Sequence, residues 1–408
     1  MRHTITVLLF ALVFCGAAFV QDNSNPTTGN ANGVLHVDGK TYKTLAQAFA
    51  ACSPPGCTID MNGNCSAPAL SLGTFDPGNL SVTILLGMCQ YTATGFTLRN
   101  SFHLVGQNGS EIDQASPGTP LFTLPLKCSG THKPPCLNDV VAQNVTLSHL
   151  HLIPATGSTS DAISMVAAPS GGLWYSTFDH IAIKAGFGRN AMRFDSTAVG
   201  EPPAADQFIS IRDVFCYRSA NGAPALLLTG PVTGQFSIDN AEFDADGGQP
   251  GKDNYNIVIS DGGIQKWMPY SIDMRNVTVQ GVSGVGGAAI YVNGATGVVC
   301  EGCHFENDNG LIKEVVGSGG HGNWGIAIKD SYAAAVGQNH GNGFISNTDS
   351  GSSLDFQDNA VYGTPDAWFG GTSTKFVYGI GNVNFSNGTW QPVSILPPHK
   401  MLELGTQR

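Results

Sequence analysis

The stretch SIDMRNVTVQ at residues 271–280 alternates apolar and polar residues, breaks the alternation at Asn276, and then resumes it. Alternation with a period of two is typical of a β-strand with one buried face. An Asn between two such runs favours a tight turn with left-handed backbone geometry. The stretch therefore predicts two short strands that meet at a one-residue turn.

The same pattern recurs between residues 145 and 390, roughly every 30 residues. The copies are VTLSHLHL from Val145, STFDHIAI from Ser176, ISIRDVFC from Ile209, FSIDNAEF from Phe236, IDMRNVTV from Ile272, VVCEGCHF from Val298, IAIKDSYA from Ile326, LDFQDNAV from Leu354 and VNFSNGTW from Val383. Their turn positions hold His149, His180, Asp213, Asn240, Asn276, Gly302, Asp330, Asp358 and Asn387. We expect a left-handed residue at each of these turns.

A third strand follows most copies after a loop of variable length. These segments are AISMV at 162–166, AMRFD at 191–195, ALLLT at 225–229, NIVIS at 256–260, AIYVN at 289–293, LIKEV at 311–315 and FISNT at 344–348. A coil of three short strands cannot bury its apolar face alone, but stacking at ~4.8 Å per coil buries it. The sequence therefore predicts an all-β fold, a single-stranded parallel β-helix of about ten to twelve coils.

Two columns of residues should run along such a helix. The inward column would hold Phe178, Ile211, Ile238, Met274, Cys300, Ile328 and Phe356. The position just before the turn alternates in sign and holds Asp179, Arg212, Asp239, Arg275, Glu301 and Lys329. On stacked coils the charged residues become neighbours, so we expect a ladder of ion pairs, each worth ~0.2–1 kcal/mol.

The segment before the repeat completes a resemblance to a known superfamily. TYKTLAQAFAAC at 41–52 predicts a helix that caps the first coil, and irregular coils at 82–112 include Tyr91 and HLVGQNGS at 103–110. With the Asn-turn coils, these features resemble the pectin lyase-like superfamily of right-handed parallel β-helices over about residues 34–390. The resemblance implies a right-handed helix. It selects no activity, because the superfamily includes lyases, hydrolases, epimerases, phage depolymerases and non-enzymatic surface proteins.

The composition and the N-terminal residues favour an exported protein. The chain has 408 residues, 42% of them hydrophobic, and a net charge of −11, which disfavours nucleic acid and anionic membranes as partners. Residues 1–20 have an early Arg2, an apolar run and small residues, which is typical of a cleaved signal peptide. We expect a linker at 21–33, the β-helix at 34–395, a tail at 396–408 and a secreted or periplasmic monomer without a membrane span.

An oxidising compartment allows disulfides among the cysteines. The pairing among Cys52, Cys57, Cys65 and Cys89 is open from the sequence, as is that of Cys128 and Cys136 across a short loop. Both cysteines of CEGC, Cys300 and Cys303, should point inward, so a bond between them is feasible. Cys216 should be a buried free thiol.

The resemblance implies an active site on the face formed by the third strands. Alternation turns Ser164, Arg193, Leu227, Val258, Tyr291, Lys313 and Ser346 outward there. A lyase needs a base and a group that neutralises a uronate carboxylate, and Arg193, Tyr291 and Lys313 are suitable types. Arg193 and Lys313 lie four coils apart, ~19 Å, so they could contact different sugar units but not one reacting centre.

A glycosidase instead needs two carboxylates ~5–9.5 Å apart. Asp195, with Asp206 or Glu201 on the loop leaving its strand, is one candidate pair, and Asp261 lies in the turn after a later third strand. These carboxylates are the catalytic candidates for hydrolysis. The competing interpretation of all the charged positions is a solvated face with scattered charges.

Other residues could bind substrate or metal. Exposed aromatic rings stack on pyranose rings, and the candidates beside the third-strand loops are Trp174, Tyr175, Trp267, Tyr270 and Trp324, together with His321. The acidic segment EFDADGGQPGKDN offers Asp244, Asp246 and Asp253 as Ca²⁺ ligands, although the Glu that completes an EF-hand loop is missing. Ca²⁺ is the one cofactor that these residues suggest. The simpler interpretation of the segment is an acidic surface loop.

Short fragments resemble enzyme signatures but in the wrong arrangement. SNTDSG at 346–351 follows GHG at 320–322, whereas polygalacturonases have them in the opposite order and add an Asp-Asp segment that is absent here. FDHIAI at 178–183 is similar to a pectate lyase segment whose Asp binds calcium, but Asp179 belongs to the charge ladder. The function predicted is a polysaccharide lyase or glycoside hydrolase acting on a long extracellular glycan. The alternative is a non-catalytic, glycan-binding or adhesive β-helix.

Overall fold

The structure is a computed structural model. It describes residues 33–61, 69–125, 140–198, 203–217, 222–244, 254–264, 268–282, 286–318, 320–336, 344–347, 354–363, 369–370, 377–386 and 389–392. The segments predicted to be a signal peptide and a tail, and nearly all of the predicted linker, lie outside the described residues. So do Cys65, Cys128, Cys136, Glu201, Asp246, Asp253, Trp267 and Asn387.

One short helix and thirty-two strands make up the regular structure of the described residues. The helix α1 spans Leu45–Ala50. The first strands are β1 Val34–His36, β2 Gly56–Asp60, β3 Leu70–Phe75, β4 Ser81–Leu85, β5 Gln90–Thr97, β6 Phe102–Gln114, β7 Phe122–Thr123, β8 Val141–Gln143, β9 Thr146–Ile153, β10 Ile163–Val166, β11 Gly172–Ile183, β12 Met192–Asp195, β13 Asp206–Tyr217, β14 Leu226–Thr229, β15 Thr233–Asp239 and β16 Glu242–Asp244. The remaining strands are β17 Tyr255–Ser260, β18 Tyr270–Arg275, β19 Thr278–Gln280, β20 Ala288–Asn293, β21 Thr296–Glu301, β22 His304–Glu306, β23 Ile312–Val315, β24 Ile326–Lys329, β25 Tyr332–Ala334, β26 Ile345–Asn347, β27 Leu354–Gln357, β28 Ala360–Tyr362, β29 Phe369–Gly370, β30 Val377–Ile380, β31 Val383–Ser386 and β32 Thr389–Pro392.

The strands join into one sheet in which every strand except β32 pairs in parallel with a strand of a neighbouring coil. The third-strand ladder runs β10–β12–β14–β17–β20–β23–β26–β29, and the two strands of each repeat copy form two further ladders. The prediction of a parallel β-helix is therefore confirmed. The last pair, β31 with β32, is antiparallel.

The one-residue turns have the predicted left-handed geometry. The turn residues from His149 to Asp358 have φ between 48° and 64°. Bulky L-residues avoid this region because Cβ approaches the following carbonyl oxygen, whereas Asn, Asp and Gly tolerate it. The local rule therefore sets each turn without help from distant residues.

The prediction for the last copy is wrong. Val383 does not begin a first strand, because the strand that pairs with Leu354–Gln357 is Val377–Ile380. The turn of that coil is Gly381, with φ 72°. The error arose because VNFSNGTW alternates well by itself, and only pairing with the preceding coil shows that it is a second strand followed by a hairpin.

The inward column is confirmed: its members, from Phe178 to Phe356, are at most 1% exposed. The charge ladder is in the predicted register, with Asp179 beside Arg212 and Arg275 beside Glu301. Its ion pairs are only partly as predicted. Arg212 Nε binds Asp179 at 2.8 Å, but Arg275 binds Asp273 of its own strand at 2.9 Å.

The helix α1 closes the first end of the apolar core, as predicted, but is shorter than the 41–52 segment. Thr44 caps it by accepting a hydrogen bond from the backbone N–H of Gln47 at 3.2 Å. Leu45 and Ala48 are buried, and the ring of Phe49 meets that of Phe75 edge to face at 4.9 Å. These contacts cover the core where no earlier coil stacks.

Two disulfides join described cysteines, Cys52 with Cys57 and Cys300 with Cys303. The second bridges the turn at Gly302 inside the core, so the bond that the sequence made feasible is present. Cys216 is a buried free thiol, as predicted, and burial raises the pKa of this thiol. Within the described residues, no helix is long and apolar enough to span a membrane.

A buried polar ladder occupies the position just after the turn in the last coils, a feature that the sequence analysis missed. Asn359 Nδ2 donates to the carbonyl of Ile328 at 2.9 Å, and its Oδ1 accepts from the N–H of Ser331 at 2.9 Å. Asn382 Oδ1 accepts from the Asn359 N–H at 3.1 Å. These amides satisfy backbone groups that would otherwise be buried without partners.

Candidate functional site

The outer side of the third strands has the predicted register. Backbone pairing sets Ser164, Arg193, Leu227, Val258, Tyr291, Lys313 and Ser346 in one column, which we call the third-strand face. The column brings Tyr291 next to Lys313 and leaves Arg193 four coils away, ~19 Å by the coil spacing. Arg193 and Lys313 therefore cannot act on the same atom.

A compact group of Tyr255, Tyr291 and Lys313 lies on this face. The two phenol rings pack at 4.5 Å between centroids. Lys313 Nζ donates to the Tyr255 hydroxyl at 3.0 Å and to the carbonyl of Gly286 at 3.2 Å. Asn293 Nδ2 donates to the Tyr291 hydroxyl at 3.2 Å, which orients the phenol. Tyr255 was absent from the sequence candidates, because it precedes the segment taken as the third strand.

A recess of about 60 Å³ opens beside Lys313. Its lining is Gly286, Gly287, Ala288, Gly310, Ile312, Lys313 and Ser346. Most of these residues have little or no side chain, so a ligand group can approach the backbone and the Lys313 ammonium closely. Lys313 lines the recess, and the two phenols lie outside its lining, with Tyr255 bonded to Lys313 and Tyr291 packed on Tyr255.

Arg193 and Asp195 form an ion pair within their own strand rather than two independent groups. Asp195 is 4% exposed, and its Oδ1 also accepts hydrogen bonds from the backbone N–H of Thr197 at 3.0 Å and from the Thr197 hydroxyl at 2.6 Å. Oδ1 of Asp195 thus holds the loop that leaves the strand, and Oδ2 binds Arg193. A water or sugar would have to displace these partners.

Asp206 is not on the loop, as the sequence analysis placed it, but is the first residue of β13 and is fully buried. Its Oδ1 accepts a hydrogen bond from the backbone N–H of Leu173 in the preceding coil at 2.9 Å. Burial raises the pKa of Asp206 to about 8, the Leu173 N–H opposes this, and the nearby charge of Asp195 adds to it. The side chain therefore braces two coils and has no access to substrate.

Replacing Asp206 with Asn is expected to flatten the pH dependence of stability. An acid whose pKa is raised on folding stays protonated in the native chain and ionises in the unfolded chain. The free energy of unfolding therefore falls by up to about 1.4 kcal/mol per pH unit between the unfolded and folded pKa values. The amide cannot ionise and keeps an oxygen for Leu173. Thermal melts from about pH 5 to about pH 8 should show a smaller decline for Asp206→Asn than for wild type; equal slopes would contradict the assignment.

Asp261 holds two loops together through hydrogen bonds to their backbones. It is 1% exposed, and its two oxygens accept from the backbone N–H groups of Gly263 at 2.9 Å and Ser318 at 2.7 Å. A Cβ added at Gly317 would lie 2.6 Å from Asp261 Oδ2, so the glycine permits this close approach. The carboxylate links corner loops of different coils. With Asp195 and Asp206 also buried, the candidate carboxylates among the described residues do not form an open pair.

The aromatic candidates come together on a different part of each coil. Backbone pairing places Trp174, Gln207, Gly234, Tyr270, Thr296 and Trp324 at equivalent positions of successive coils. The next residue in each coil, including Tyr175 and Phe208, has left-handed geometry. This second left-handed column has no sequence signature of its own, because its residue types vary. Aligning the repeat copies locates it, since it directly precedes each first strand.

The remaining candidates for substrate or metal binding have weaker structural support. The carbonyl of His321 accepts from the backbone N–H of Gly317 at 2.9 Å, and the side chain is half-buried. Asp244, the one described member of the calcium set, lies on β16, outside the third-strand ladder. Asp179, His180 and Asp213 could together reach a metal ion at a turn, but Arg212 already binds Asp179 there.

Solved structures share this architecture at low sequence identity, whereas no family model and no curated protein matches the chain. The A-module of a mannuronan C-5 epimerase from Azotobacter vinelandii is 12% identical, with a TM-score of 0.50 over 87% of this chain and 97% of that one. The chain therefore has a right-handed parallel β-helix fold.

Two further structures are similar to this β-helix. The catalytic unit of a GH87 α-1,3-glucanase from Streptomyces thermodiastaticus is 14% identical, with a TM-score of 0.43 over 90% of this chain and 72% of that one. An endo-xylogalacturonan hydrolase from Aspergillus tubingensis is 12% identical, with a TM-score of 0.42 over 83% and 99%. At these identities the comparisons establish the fold of the β-helix alone.

Proposed function

We propose that the protein is a secreted polysaccharide lyase that binds a uronate-containing glycan along the third-strand face and cleaves it at Tyr291 and Lys313. The observation that carries the proposal is the packing of two phenols and one ammonium beside a recess on that face. A compact group of this kind is what separates a catalytic β-helix from one with scattered surface charges.

The chemistry is a β-elimination. Tyr291, acting as the phenolate, takes the proton from the carbon next to the uronate carboxylate and becomes the neutral phenol, and Lys313 neutralises the negative charge that develops on that carboxylate. The electron pair of the broken C–H bond forms a carbon–carbon double bond as the glycosidic C–O bond breaks. The leaving sugar oxygen takes a proton from water or from Tyr255. The Asn293 amide holds the Tyr291 hydroxyl in position for the first step.

A lyase fits the described residues better than a hydrolase does. Hydrolysis needs two carboxylates that reach the glycosidic bond from opposite sides. Asp195, Asp206 and Asp261 are each at most 4% exposed and hold backbone groups of neighbouring coils or loops. Elimination needs only a base and a cation, and both lie on the open face.

The second candidate function is glycan binding without cleavage. The exposed aromatic residues at the coil corners favour it, because Tyr175 and Trp324 are more than half exposed and offer flat faces to a sugar. A solenoid of this length presents an extended surface rather than a closed pocket, so either function implies a long polymer as the ligand.

The deciding experiment is to incubate the purified protein with neutral and uronate polysaccharides, each with Ca²⁺ and with a chelator. Ultraviolet absorbance of the new double bond and reducing ends should increase together on a uronate glycan. Reducing ends without the absorbance would establish a hydrolase and overturn the proposed mechanism. Binding without either product would establish the non-catalytic alternative.

A further inference from the structure

The corner of the helix where each first strand begins carries a continuous uncharged strip. We define the corner strip by two adjacent positions in each coil. The first position holds Gln143, Trp174, Gln207, Gly234, Tyr270, Thr296 and Trp324, and the second holds Asn144, Tyr175, Phe208, Gln235, Ser271, Gly297 and Gly325. From Trp174 to Trp324 the strip crosses five coil steps, ~24 Å. Each of these residues is aromatic, amide, hydroxyl or glycine.

Two residues of the strip occupy a backbone conformation that their side chains disfavour. Tyr175 has φ 51° and Phe208 has φ 58°, in the left-handed region that bulky residues rarely adopt. Their rings stack at 4.6 Å and 10°, yet they remain 57% and 40% exposed. Elsewhere in the column the fold uses Asn144, Gln235, Ser271 and glycine. The fold therefore does not require aromatic rings here, and strained exposed residues of this kind mark functional sites.

Hydrogen bonds hold other members of the strip in fixed positions. Trp174 Nε1 donates to the carbonyl of Ala205 at 2.9 Å, which keeps the indole against its coil. The ring of Tyr270 lies across Gly234, and a Cβ added at Gly234 would come within 2.7 Å of that ring. The Tyr270 hydroxyl accepts a hydrogen bond from Gln207 Nε2. Because these rings are already ordered, little side-chain conformational entropy would be lost when a ligand binds.

We infer that the corner strip binds an extended chain of neutral sugars that runs along the helix axis. Aromatic faces stack on the C–H faces of pyranose rings, while amide and hydroxyl groups bond to sugar hydroxyls. The absence of charge from the strip matches a neutral glycan and gives no partner for a uronate carboxylate. The strip is separate from the Tyr291 cluster, so it would bind whether or not the third-strand face is catalytic.

The test measures binding of the purified full-length protein to soluble neutral glycans (β-glucan, xylan, mannan and galactan) and to polygalacturonate and alginate. The main variant is Tyr175→Asn with Phe208→Asn, because Asn144 already occupies the same column. We expect binding to at least one neutral glycan and its weakening by about tenfold or more in this variant. Its melting temperature should stay level or rise, since Asn suits left-handed geometry.

Controls separate the strip from other effects. Trp324→Ala should also weaken binding, whereas Tyr332→Asn, an exposed tyrosine outside the strip, should not. Tyr291→Phe should lower the cleavage rate by about 10²–10⁴-fold but bind neutral glycan like wild type, so failure of the proposed lyase activity and failure of the strip give different results. Binding only to uronate polymers, unchanged binding in the double variant, or self-association that the double variant abolishes would each overturn the inference.

Discussion

Replacing Tyr291 with Phe is expected to lower kcat on a uronate glycan by about 10²–10⁴-fold. The variant keeps the ring that packs against Tyr255 at 4.5 Å but loses the oxygen that accepts the proton. KM should change little, because the ring at position 291 and the other residues of the third-strand face remain. The measurement is the initial rate of absorbance from unsaturated product, with substrate binding determined separately.

Two further variants make this result specific. Lys313→Met removes the cation but keeps the length of the side chain, so it should also lower kcat strongly. Tyr332→Phe removes a hydroxyl from an exposed tyrosine outside the third-strand ladder and should leave the rate unchanged. If the Tyr291→Phe enzyme worked at the wild-type rate, Tyr291 would not be the catalytic base, and Arg193 would be the next candidate.

Replacing Asn359 with Leu is expected to lower the free energy of unfolding by about 3–5 kcal/mol. Asn359 is 2% exposed and uses its amide to bond the carbonyl of Ile328 and the N–H of Ser331. Leucine has a similar volume but leaves both backbone groups buried without this partner, although its own backbone N–H can still donate to Asn382 Oδ1. Each buried unsatisfied group costs about 1–3 kcal/mol. Urea unfolding followed by circular dichroism would measure the loss.

The matched control for this variant is Asp358→Asn at the neighbouring turn. Asp358 is exposed and left-handed, with φ 52°, and Asn tolerates the same geometry. Its unfolding free energy should therefore stay within about 0.5 kcal/mol of wild type. If Asn359→Leu were as stable as this control, the buried amide ladder would not be a major source of stability.

The register of the third-strand face could be predicted because it rests on local rules. Side chains of a strand alternate between faces, so once AIYVN and LIKEV are aligned, Tyr291 and Lys313 must be neighbours. The same rule found the inward column and the charge ladder. It failed at Val383, where local alternation was right but the assignment to a first or second strand depended on the preceding coil.

The exposure of the candidate carboxylates could not be predicted in the same way. Asp206 follows, and Asp261 begins, a loop whose length varies from coil to coil, and periodicity carries no information about how such a loop folds back. The structure turns both side chains inward onto backbone N–H groups of other coils. An acidic residue near a third strand is therefore weak support for catalysis until its burial is known.

The sequence alone determined the solenoid, its left-handed turns and the neighbours along each column, because these follow from alternation, turn chemistry and the need of each coil to stack. Only the tertiary structure decided which polar groups remain available for chemistry. It gathered Tyr255 with Tyr291 and Lys313, buried Asp206 and Asp261, and aligned Trp174 with Tyr270 and Trp324. These outcomes depend on the packing of irregular loops against stacked coils, which no local sequence rule describes.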